Sequence, residues 1–119
     1  MLFWRRRLQP GDRVKLFGGY DMDPEWLCGK NEHTGTLIRF MPGQNPKPAA
    51  VVRLDAPLTV QGVTGEFLVL ELRFVGARWK DGETVHVELC DFDPEPITWK
   101  DRRRGKWVEA HASIGIVRK

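Results

Sequence analysis

His86, Cys90 and Asp91 fall within six consecutive positions and supply the residue types of a thiol nucleophile, its imidazole base and an orienting carboxylate. Their spacing argues against that chemistry. Thr84–Asp91 alternates as a strand, with Val85, Val87 and Leu89 on one face and His86 and Glu88 on the other. Residues four apart on a strand share a face but stand ~13 Å apart at ~3.3 Å per residue. A nucleophile and its base need roughly 3 Å. Cys90 therefore reads as an ordinary thiol and His86 as an exposed cross-strand histidine. His33 and His111 have no nucleophile at motif spacing. No catalytic residue is expected, and the chain reads as a non-enzyme.

Metal chemistry finds no support in linear spacing either. No Cys-x-x-Cys or His-x-x-x-His pair occurs, so neither a zinc site nor any other metal or cofactor is expected. Asp21-Met22-Asp23-Pro24-Glu25 and Asp91-Phe92-Asp93-Pro94-Glu95 repeat a carboxylate pattern that suggests calcium. Proline after the second Asp, and the lack of a glycine turn and distal Glu, make helix starts the better reading.

Two binding chemistries are carried by aromatic and charged residues. Tyr20, Asp21, Asp23 and Trp26 form an acidic-aromatic loop, suited to a basic or methylated-lysine peptide through charge and cation–π attraction. The alternative is RNA or single-stranded DNA, for which phosphates require cations and bases require a stacking plane. Arg5–Arg7 follow Trp4, Arg78 and Lys80 flank Trp79, and Arg102, Arg103 and Arg104 precede Trp107. Against this, tryptophans in a small domain are mostly core, with their N–H groups tied off.

The elements that must position these residues are strands. At 119 residues, 41% hydrophobic and 29% charged, the chain reads as one soluble globular domain, 1–119, with a basic tail over 1–9. No apolar run approaches the ~20 residues that span a bilayer, and the first residues lack the pattern of a secretory signal. A cytoplasmic protein with reduced Cys28 and Cys90 is expected. Residues 1–20 carry five basic and one acidic side chain (+4), 98–119 seven and two (+5), and 21–97 seven and thirteen (−6). Basic ends thus flank an acidic middle.

Period-2 alternation predicts strands at about 12–18, 35–41, 50–55, 66–75, 84–91 and 106–111, with 114–117 pairing or fraying. Val14, Leu16, Val52 and Leu54 point inward, and Val51 and Arg53 outward. Leu68, Leu70, Leu72 and Phe74 share one face, opposite Glu71 and Arg73. Residues 56–65 read as a loop, and Asp81-Gly82 as the turn of a hairpin. Short helical turns are expected at 23–28 and near 98–104.

The blocks Gly11-Asp12-Arg13-Val14-Lys15-Leu16, Gly35–Phe40 and Ala50–Asp55 resemble the first three strands of SH3-like barrels, the group that includes KOW and Tudor-like domains. The likeness covers the first half of the chain and departs from KOW in the long acidic loop between the first two blocks. It implies an all-β, partly open barrel of five or six antiparallel strands with one or two short helical turns, and a binding loop over 19–34. The expected function is a binding module: a protein or peptide partner through the acidic-aromatic loop, with nucleic acid as the alternative.

Overall fold

A computed structural model describes residues 7–17, 32–42, 48–74, 76–95 and 107–117, with side chains in the last segment from Ala112 onward. Six strands form: β1 (Arg13–Phe17), β2 (His33–Met41), β3 (Ala49–Val60), β4 (Val63–Leu72), β5 (Thr84–Cys90) and β6 (Trp107–Ile116). Each pairs antiparallel with the next, and β6 returns to pair with β1, so the sheet closes into a barrel. The expected all-β small barrel is found. It is closed rather than partly open, and no helix occurs among the described residues. The helical turns expected at 23–28 and near 98–104 lie outside them.

Inward residues meet in rows set by the register. Leu37 lies across from Val52, Val52 from Leu68, and Leu68 from Leu89, spanning four strands with fully buried side chains. Val14, Leu16, Leu70, Val85, Val87 and Ile114 belong to the same buried core. Burying each such side chain stabilises the fold by about 1.5–3 kcal/mol before the entropy of ordering is set against it.

Two local features depart from the pattern read along the chain. Residues 56–65 are not a loop: β3 runs to Val60 and reverses through Gln61-Gly62 into β4. Both turn residues have positive φ, 50° and 80°, the requirement of a type I′ hairpin. Gln61 disguises the turn, because it is not a residue that favours that conformation. Pro57 lies where the β3–β4 register shifts, between Arg53 and Leu58, and a residue without an N–H is tolerated at such a bulge. The second departure is at Phe74, expected on the inner face. β4 ends at Leu72, and Phe74 is 58% exposed beneath the Arg73 guanidinium, 5.3 Å from its ring centre.

The outer wall is not uniformly solvated. Val51 points outward as expected, yet it is fully buried with Met41, Ala49, Val69 and Cys90 in a second apolar cluster against Ile38, Phe67 and Phe92. Outward-facing Glu71 and Glu88 are buried as well. Parity along a strand assigns a face, and what lies over that face decides burial.

Candidate functional site

The pocket at one mouth of the barrel is built where the end of β2, the start of β3, the end of β4 and the residues leading into β1 meet. Leu8, Leu72 and Trp79 are its buried floor, with Phe40 and Pro48 at the side and Arg7 and Arg78 exposed at the rim. Its volume is about 430 Å³, within the range of small-ligand sites.

Each wall is held by backbone hydrogen bonds. Leu8 N–H donates to the Trp79 carbonyl at 3.0 Å, and Arg7 and Lys80 form an antiparallel bridge. The segment before β1 is tied in by Gly11 N–H to Leu37 O (2.8 Å) and by Gln9 N–H to the Asp12 carboxylate (2.9 Å). On the β4–β5 connection, Glu83 accepts from Arg78 N–H (3.4 Å) and Thr84 N–H (3.2 Å). Gly82 N–H donates to Ile114 O (2.7 Å), and Asp81 Oδ1 accepts from Ile116 N–H (2.9 Å). β4 and β5 pair antiparallel as the hairpin read from sequence requires, and the connection between Leu72 and Thr84 that holds Asp81-Gly82 is braced by these bonds.

Trp79 donates its indole N–H to the Pro48 carbonyl at 3.0 Å, which fixes the ring and satisfies its one polar atom. Phe40 packs against it at 5.8 Å between centroids, tilted 52°. What remains for a ligand is aromatic and apolar surface below two cations.

The electrostatics distinguish those cations from three arginines on the strands of the barrel wall. Arg13 is paired with Asp55, Arg39 with Asp93 and Arg53 with Glu66, all at 3.2 Å or less. Among the described residues, neither Arg7 nor Arg78 has a carboxylate partner. Two guanidiniums at the rim with no carboxylate partner among the described residues attract anions and offer planar donors to them.

The residues singled out along the chain are differently placed. Tyr20, Asp21, Asp23 and Trp26 lie outside the described residues, as do Arg102, Arg103 and Arg104. Trp107 opens β6 with its backbone opposite Cys90, and its side chain is outside the described set. The connections that carry these residues join β1 to β2 and β5 to β6. Cys90 is free and buried, and its thiol donates to Phe67 O (3.4 Å) and Phe92 O (3.5 Å). Burial pushes its pKa up to about 12, so the protonated thiol persists at neutral pH.

Leu8, Phe40, Pro48 and Leu72 were not marked as ligand contacts by any motif. The available signal was the tryptophan between two cations at 78–80, together with a basic segment before the first strand. Their convergence depends on barrel closure. No family model, no curated protein and no solved structure matches this chain. Fold and site together define the class: a closed six-stranded antiparallel barrel with an arginine-rimmed aromatic pocket at one mouth.

Proposed function

We propose that this protein is a non-enzymatic binding module for RNA or single-stranded DNA, engaged at the mouth bounded by Arg7, Phe40, Arg78 and Trp79. The observation that carries the reading is the pairing of an aromatic pocket with two guanidiniums that no described carboxylate neutralises. Single strands are held through charge on the phosphates and stacking or apolar contact on the bases. Lys80, bridged to Arg7, extends the cationic edge along which a backbone can run. The barrel wall beyond this edge carries paired charges, which favours engagement at the mouth over a diffuse surface.

Fluorescence polarisation with labelled single-stranded oligonucleotides, at two salt concentrations, tests it. Binding should weaken steeply with salt, with a slope of about −0.7 per phosphate neutralised. Arg7→Ala and Arg78→Ala should each weaken binding by about tenfold and flatten that slope. Failure to bind any oligonucleotide, or binding indifferent to both substitutions, overturns the reading. A labelled basic peptide is the second arm. Its capture, with loss on Asp21→Asn, Asp23→Asn or Trp26→Ala, would establish the acidic-aromatic loop as the site instead.

A further inference from the structure

We propose that Glu71, His86 and Glu88 bind a divalent transition-metal ion of the zinc class on the outer wall of the barrel. The register brings them together. Glu71 on β4 lies directly across from His86 on β5, and Glu88 follows two positions along the same face. One ligand atom from each side chain lies within 4.8 Å of the others, and His86 Nδ1 is 3.8 Å from Glu88 Oε1. Ligands ~2.1 Å from a tetrahedral zinc ion are roughly 3.4 Å apart. Small rotamer adjustments would therefore close the three onto one ion.

Burial gives the cluster its second argument. Glu71 is 8% exposed and Glu88 1%. Two carboxylates converging away from water are costly unless positive charge balances them. All three side chains already take part in polar or electrostatic interactions, and a dication adds the largest balancing charge. An imidazole with two carboxylates is a borderline donor set that suits zinc and its neighbours, whereas magnesium and calcium prefer all-oxygen shells. The next strand continues the row: β6 brings His111 opposite His86 and Glu109 opposite Glu88 in register. Glu71, His86 and His111 thus occupy one line across three strands.

This site is separate from the pocket at the mouth, and its test does not depend on nucleic-acid binding. Chelator-stripped full-length protein is titrated with zinc and, separately, with magnesium by isothermal calorimetry, and its thermal midpoint is followed with each ion. One equivalent of zinc should bind and raise the midpoint, with magnesium at least tenfold weaker. His86→Ala and Glu88→Gln should each weaken zinc binding at least tenfold, while His33→Ala leaves it unchanged. Circular dichroism checks that the variants stay folded; Glu88→Gln keeps the side-chain shape where a larger truncation would disturb the wall. No stoichiometric zinc binding by the folded protein overturns the proposal. So does equal affinity for magnesium, or unaltered zinc binding in folded His86→Ala and Glu88→Gln.

Discussion

Asp55 is a carboxylate of the solvated wall held by several hydrogen bonds. It accepts from both terminal nitrogens of Arg13, one of them at 2.7 Å, and from Thr34 Oγ1 at 2.8 Å, while Arg13 also donates to Thr36 Oγ1 at 3.0 Å. These bonds stitch β1, β2 and β3 together from outside. The Arg13 hydrogen bonds, then the Thr34 hydroxyl, hold the Asp55 carboxyl down to about 2. A carboxylate whose folded pKa lies below its unfolded value of about 3.9 contributes stability above that value. The contribution is lost as pH falls through the folded pKa. The stability difference between the wild type and Asp55→Asn, measured in urea, should therefore be full above about pH 4 and shrink towards about pH 2. Added salt should reduce it, because the pair is half-exposed. A difference that stays constant through this range would remove the assigned role. Buried Glu71 and Glu88 lie on the same outer wall, so their shared surface parity with Asp55 does not give them the same environment.

At the scale of elements, β4 and β5 show an alternation of inward and outward residues. Their alternation was legible: Leu68, Leu70, Val85, Val87 and Leu89 are inward and buried as read. The limits of the elements were less so. β4 starts three residues before Glu66 and ends three before Val75, because the unrecognised Gln61-Gly62 turn shifts the hairpin earlier. Gly65, assigned to a loop, is instead a strand residue where two backbones meet. A Cβ there would run into the Cys90 carbonyl, which as backbone cannot swing aside. Gly65→Ala should therefore destabilise the protein by about 1–3 kcal/mol in urea unfolding. A neutral result would mean that β4 and β5 separate at that end in solution. The same approach buries Cys90, which keeps its thiol against carbonyl acceptors.

For the molecule as a whole, closure is the organising event. The pairing of β6 with β1 removes the exposed sheet edges and turns four-strand rows into a continuous interior. Leu68 sits within the row from Leu37 to Leu89, with no exposed surface of its own. Leu68→Ala should cost about 2–5 kcal/mol, because strands bonded on both sides cannot collapse into the space. Calorimetry should show a single cooperative transition at a lower midpoint. Separate transitions for β1–β3 and β4–β6 would contradict a shared core. Closure also sets the mouth, since Arg7 meets Lys80 and Leu8 meets Trp79 across more than seventy residues of chain.

Period-2 parity was determined locally, by side-chain alternation on a pleated backbone, and it assigned the faces of residues 68–72 and 85–89 from sequence alone. The same local signal placed Glu71, His86 and Glu88 on outer faces without indicating that they converge. Convergence needs the β4–β5 register, which is set by core rows that distant strands complete. The arginine-rimmed pocket needs still more, because its residues come from segments joined only when β6 reaches β1. Sequence determined which side each residue shows, through local sterics and hydrophobic pattern. Tertiary structure decided which of those sides meet and which are covered, because pairing and closure are satisfied by the whole sheet at once.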